Sequence, residues 1–209
     1  DHRLDPDRVA RLLDQAGSLD PLKVVIVAQH GQVLAERGYR GHDPDTPGNI
    51  KSASKTVMSA LVGIAIDRGV LSGVDQPIAP LLQEDLPPDP DPRLSRISIG
   101  HLLSMQAGLE PTSGRNYGQW VTSGNWVRFA LTRPFADDPG GRMQYSTGSS
   151  HLLSAILTQA TGMSTLAYAR RKLFIPLGVT LRPWLADPQG IYLGGNEMNL
   201  TPRDMVKFG

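Results

Sequence analysis

The chain has 209 residues, 40% of them hydrophobic, and its 21 basic and 20 acidic residues leave a formal charge of +1. That composition can bury a substantial core in one domain, and neither sign runs in a block suited to a phosphate backbone or an anionic membrane, so nucleic acid is not an expected partner. There is no cysteine, which excludes disulfides, thiolate zinc sites and a cysteine nucleophile. No apolar run approaches the roughly 18 residues of a membrane span, and residues 1–8 lack the apolar centre of a signal peptide, as those of a trimmed chain also would.

Asp5 and Pro6 read as an N-cap and first helical residue, with Val9, Leu12, Leu13 and Ala16 at helical spacing before Gly17. Residues 22–29 form a β-branched run, His30-Gly31 a turn, and residues 32–39 a second run, which together predict an antiparallel hairpin. Residues 24–27 are apolar without alternation, so both faces of the first strand should be covered. A helix follows from Ser52 to Arg68-Gly69. Pro87, Pro88, Pro90 and Pro92 mark a stiff surface connection.

Ser98 can cap a helix running through Leu102, Leu103 and Met105 to Gly108, and Ser123 another through Trp126 and Phe129 to Pro134. Residues 116–120, Asn-Tyr-Gly-Gln-Trp, read as an aromatic loop that either walls a pocket, through Tyr117 and Trp120, or covers a helix pair. Residues 137–147 are turn-rich. Helices are then expected through Leu152–Ala160 to Gly162 and from Ser164 to Lys172, with mostly loop over residues 175–200 and a helix start at Thr201-Pro202. Two strands beside six or seven helices leave a sheet with open edges, so further strands are expected from another segment or a second chain. The whole reads as one domain over 1–209, with an N-terminal helix and hairpin (1–50) and a mainly helical region (51–209).

The chemistry centres on Ser52-Ala53-Ser54-Lys55, because residues three apart at a helix start share a face and set a hydroxyl beside an amine. A serine needs a neighbouring base and a stabilised oxyanion; a helix N-terminus offers N–H groups, and the apolar run after Lys55 should lower its pKa. The bland reading is a serine cap with a snorkelling lysine, and in a chain with 15 serines the spacing also arises readily by chance. Tyr145, between Gly140-Gly141 and a helix, could share a proton with Lys55 or simply pack. His30, His42, His101 and His151 are dispersed, so no metal site is expected, and no Gly-x-Ser-x-Gly elbow supports a Ser-His-Asp triad.

These elements, in this order, resemble the penicillin-recognising serine hydrolases: class C β-lactamases, DD-peptidases, related carboxylesterases and 6-aminohexanoate-dimer hydrolase. The resemblance extends over Asp67-Arg68-Gly69-Val70-Leu71, residues 97–104, Ala107-Gly108-Leu109, Pro139-Gly140-Gly141 before Tyr145, Ala160-Thr161-Gly162, residues 174–178 and Gly194-Gly195-Asn196-Glu197-Met198 leading to Thr201-Pro202-Arg203-Asp204. It implies an α/β (α+β type) fold in which a helical region packs on an antiparallel sheet, incomplete in this chain.

The resemblance further implies an acyl-enzyme on Ser52, proton transfer by Lys55 and Tyr145, an ester or amide substrate, no cofactor, and a lean toward a periplasmic or secreted location. Thr147 stands where the family usually has asparagine, which tilts the expectation toward esters or atypical amides. No Lys-Thr-Gly-like triplet follows Tyr145. A non-catalytic binding or sensor module is the alternative.

Overall fold

The computed structural model describes residues 4–209. In chain order the elements are α1 (Pro6–Ala16), β1 (Val24–Gln29), β2 (Gln32–Gly38), β3 (Gly48–Asn49), α2 (Ser54–Asp67), α3 (Ile99–Leu103), α4 (Tyr117–Val121), α5 (Trp126–Leu131), α6 (Thr147–Thr161), α7 (Thr165–Ala169), β4 (Asn199–Leu200) and α8 (Pro202–Phe208). Two compact units emerge. One runs to Asn49 and resumes over Asn199–Gly209; the other is Ile50–Met198.

In the first unit, the Asp5 carboxylate caps α1 by accepting from Asp7 N at 2.9 Å, and Leu13 and Ala16 are buried while Leu12 is exposed. β1 and β2 pair antiparallel across a turn in which both His30 (φ 51°) and Gly31 (φ 76°) are left-handed, as a two-residue hairpin requires. A bulge at Val27/Ala28 shifts the register. Contrary to the expectation of two covered faces, Val24–Val27 are only half-buried, because a two-stranded ribbon flanked by short helices cannot cover them fully. β3 pairs with β4, and α8 packs on β1. Arg203 of α8 ion-pairs with Glu36 and Asp45, and its N–H donates to Pro44 O.

The second unit is built around α6, which packs against α2, α3, α5 and α7. Val57, Met58, Leu61, Val62 and Ala65 form the inner face of α2, where burial of each side chain larger than alanine contributes about 1.5–3 kcal/mol. α6 begins five residues before the apolar run at Leu152, because its first turns are polar yet buried: Thr147, Ser149, Ser150, His151 and Ser154 all lie inside.

Two other expectations change. Residues 117–121 are a short helix with Trp120 fully buried, not an open loop, and α5 is capped by Asn125, whose Oδ1 accepts from Arg128 N at 2.8 Å. Ser123 is diverted instead to Trp120 O at 2.7 Å. The proline-rich connection makes short 3-10 turns, and Leu94 within it is buried.

Two glycines set opposite limits. A Cβ at Gly63, on the exposed side of α2, meets nothing within 4 Å, whereas one at Gly194 would lie 2.0 Å from Ser150 O. Gly63→Ala should therefore raise stability by about 0.5–1 kcal/mol, and Gly194→Ala should lower it by about 1–3 kcal/mol or more, both read from urea midpoints.

Candidate active site

Ser52 lies on a 3-10 turn (Lys51–Ala53) that runs into α2, so three-residue spacing still places it and Lys55 on one face. Lys55 Nζ donates to Ser52 Oγ at 3.3 Å and to Gly195 O at 2.8 Å. Tyr145 O–H donates to the same Ser52 Oγ at 2.9 Å, and Lys55 Nζ lies 4.9 Å from the centroid of the tyrosine ring. Asn196 completes the ring of contacts, with its Oδ1 accepting from Ser52 Oγ at 3.4 Å. Three segments far apart in sequence thus meet at one hydroxyl.

Each segment is held by contacts that the sequence does not advertise. Ser54 is fully buried; it donates to Lys51 O at 2.7 Å and accepts from Met198 N at 3.3 Å, tying the Ser52 turn to the 194–198 segment. Ile50 N donates to Met198 O at 2.9 Å beside it. Met105 brackets Tyr145, its O accepting from Gln144 N at 2.8 Å and its sulfur from Ser146 N at 3.4 Å. The open N–H groups at the start of α6 are capped from outside: Thr147 N donates to Ser113 Oγ at 2.9 Å and Gly148 N to Thr112 Oγ1 at 2.8 Å.

The 194–198 segment is fixed from behind by α6. His151 Nε2 meets Asp187 Oδ2 at 2.9 Å with both side chains fully buried, and Asp187 Oδ1 accepts from Gln189 N and Ile191 N. Ser154 Oγ donates to Tyr192 O at 2.6 Å. The fully buried His151 and Asp187 make their contacts with each other and with the 187–191 turn, and their part is to hold the chain leading to Gly195 and Asn196.

Of the residues singled out in the sequence, Ser52, Lys55 and Tyr145 converge. Thr147 is buried, with its Oγ1 3.0 Å from Ser113 Oγ and its methyl against Gly195, so its hydroxyl is engaged within the protein. Trp120 is buried too, donating its indole N–H to Trp126 O and packing edge-on to His151; Tyr117 stacks edge-on against it. These two belong to an aromatic cluster, and the fully buried Trp120 has no surface to offer a substrate.

Burial pushes the Tyr145 phenol pKa up, but hydrogen bonds to Ser52 and Lys55 and the positive charge of Lys55 outweigh it, and the net pKa falls below its ordinary value of 10.0. A phenol poised this way gains proton-accepting phenolate as pH rises, and gains it earlier than a free tyrosine. A groove of about 450 Å³ lined by Glu110, Ser113, Arg115, Asn116 and Gln144 flanks the same loop.

With this geometry in view, residues 21–209 match the Beta-lactamase family description. The chain belongs to the beta-lactamase family. Among solved structures it is similar to a class C beta lactamase from Rhodobacter sphaeroides (18% identity, TM-score 0.70, 95% of this chain and 63% of that one). It is likewise similar to an octameric penicillin-binding protein homologue from Pyrococcus abyssi (18% identity, TM-score 0.71, 98% and 55%). A curated relative, "Probable fimbrial assembly protein FimD, serogroup H1" of Dichelobacter nodosus, is 33% identical over 138 residues, covering 62% of this chain and 34% of the relative. The chain therefore spans about a third of that relative and somewhat over half of these structures. The beta-lactamase fold, mixed helical with two small antiparallel sheets among the described residues, agrees with the expected class. Among the described residues, no helix is long and apolar enough to cross a membrane.

The lowered phenol pKa is open to direct measurement. Alkaline absorbance titration should show one tyrosine ionising below the ordinary value, and that step should disappear in Tyr145→Phe and move up in Lys55→Ala. Tyr168, whose buried phenol has its pKa raised, should instead titrate above that value. An unchanged early step in Tyr145→Phe would place it on another residue.

Proposed function

We propose that this protein is a serine hydrolase that cleaves carboxylic esters or amides through an acyl-enzyme on Ser52. What carries the reading is the meeting of Tyr145 O–H and Lys55 Nζ at the Ser52 oxygen, 2.9 and 3.3 Å away. A nucleophile within hydrogen-bond reach of its proton acceptors is the arrangement that acyl transfer needs.

In this scheme the Ser52 proton passes to Tyr145, with Lys55 stabilising the phenolate, while Oγ bonds to the substrate carbonyl carbon. The tetrahedral intermediate collapses as the C–O or C–N bond breaks, and the proton goes on to the leaving group. Water, losing its proton to the same pair, then attacks the acyl carbon; the Oγ–C bond breaks, the carboxylic acid departs and Ser52 regains its proton. The Ser52 backbone N–H, at the start of a helix, is suited to receive the oxyanion. A second donor and further sheet strands would come from another segment of a longer protein or from a second chain.

Pre-steady-state hydrolysis of a p-nitrophenyl ester by the full-length protein tests this. A burst of nitrophenol stoichiometric with protein is expected, absent in Ser52→Ala, and slowed about 10²–10⁴-fold in Tyr145→Phe and Lys55→Ala. A burst that persists in Ser52→Ala would rule the reading out.

A further inference from the structure

Tyr145 is 45% exposed, so packing alone does not fix its ring. Its hydroxyl nevertheless lies 2.9 Å from Ser52 Oγ, and a phenol can be held there only if the backbone that carries it is held. That backbone arrives from a tight turn in which Gly141 N donates to Asp138 O at 2.9 Å and Gly140 is left-handed at φ 83°. Two successive glycines bring no side chains of their own to anchor the turn, so the anchor must come from its neighbours.

The neighbours close in on both glycines. A Cβ at Gly140 would lie 3.1 Å from His101 Nε2, and one at Gly141 would lie 2.7 Å from the Asp137 carboxyl carbon. The Asp137 carboxylate is itself occupied, accepting from Asp138 N and Arg142 N at 2.9 Å each. What ties the turn to α3 is Gln106, three residues beyond the end of that helix. Its N–H donates to His101 O at 2.7 Å and its O accepts from Gly140 N at 2.9 Å. Its side-chain Nε2 donates to Gly141 O at 2.7 Å and to Gly140 O at 3.3 Å. Both acceptors are carbonyls, so it is the two-donor end of the carboxamide that faces them, one N–H for each. Beside it, Met105 O and the Met105 sulfur accept from Gln144 N and Ser146 N on either side of Tyr145.

We infer that Gln106 is a positioning residue for the reaction: its carboxamide, by holding the Gly140 and Gly141 carbonyls, keeps the Tyr145 phenol on the Ser52 oxygen. The inference rests on the proposed acyl transfer at Ser52 with Tyr145 as a proton carrier. The main-chain bonds of Met105 and Gln106 are independent of side-chain identity, whereas the two carboxamide bonds are not, and they grip the chain where it leaves the turn for Tyr145. Gln106 bonds the turn, while Ser52 Oγ is met by Tyr145, Lys55 and Asn196, so its influence on the reacting oxygen runs through the phenol. A small displacement of a proton carrier lowers rate without any change in its chemistry, because proton transfer needs hydrogen-bond reach.

The test is a double-mutant cycle in the full-length protein, read from the burst with p-nitrophenyl acetate. Gln106→Met keeps the side-chain length and removes the donor, and should slow the burst about ten-fold, the scale of a lost hydrogen bond. In a Tyr145→Phe background the same substitution should slow it no more, since a group that acts through the phenol has nothing to act on once the phenol is gone. The early tyrosine ionisation should also move up toward its ordinary value in Gln106→Met, as the phenol loses its hold on Ser52 and Lys55. Gln106→Glu, which keeps the shape but turns a carboxylate toward both carbonyls, should give the same pattern and serves as the reading if the methionine variant does not fold. Equal slowing with and without the Tyr145 hydroxyl, or an unchanged burst and ionisation step in both variants, would overturn the assignment of Gln106 alone. A burst that survives in Ser52→Ala would overturn acyl transfer at Ser52 and Gln106 together.

Discussion

A helix whose first eleven residues are buried cannot leave its opening N–H groups without acceptors, and α6 is such a helix from Thr147 to Leu157. An unpaired buried N–H costs about 1–3 kcal/mol, and Ser146 at the N-cap makes no capping bond with its own side chain. The demand is met by Ser113 and Thr112 reaching in from the loop between α3 and α4. That solution fixes where α6 begins, and Tyr145, two residues earlier, inherits its position from it. The fold and the candidate site thus share one requirement.

The same helix determines the opposite wall. His151 and Ser154 grip Asp187 and Tyr192, and Gly194 lies so close to Ser150 that no side chain fits between them. The chain emerging from that contact delivers Gly195 to Lys55 and Asn196 to Ser52. Of the five left-handed non-glycine residues among the described ones, two turn the strand connection and its exit, His30 and Arg40, while Lys51, Met105 and Glu197 adjoin Ser52, the Tyr145 loop and Asn196. Non-glycine residues persist in this region where surrounding contacts over-determine them, so the contacts that fix α6 and the 194–198 segment also hold these three positions.

Ser52 and Lys55 were legible because three-residue spacing puts two side chains on one face whether the turn is α or 3-10, so the shift of the α-helix start to Ser54 leaves their pairing intact. Tyr145 could be suspected from its glycine-rich approach, but its distance to Ser52 could not. Asn196 carried no periodic signal, and it stands 144 residues from its partner; only the tertiary structure joins them. The buried polar start of α6 was hidden for the opposite reason, since serines and a histidine read as surface until the hydroxyls and the carboxylate that satisfy them are in place. Trp120 was legible in part: of its two readings the packing one holds, with the ring against Trp126 of α5 and His151 of α6, while glycine and asparagine beside it made a helical stretch read as loop.

Tyr145, Lys55 and Asn196 all approach one oxygen, and the proposed acyl transfer makes that oxygen the one that becomes acylated. Mass-spectrometric peptide mapping after exposure to a fluorophosphonate, which bonds covalently to activated serines, tests it at the level of a single atom. One adduct is expected, on Ser52, absent from Ser52→Ala and slow to form in Tyr145→Phe. An adduct on any other residue, or a Ser52 that stays unmodified in the folded protein, would contradict it.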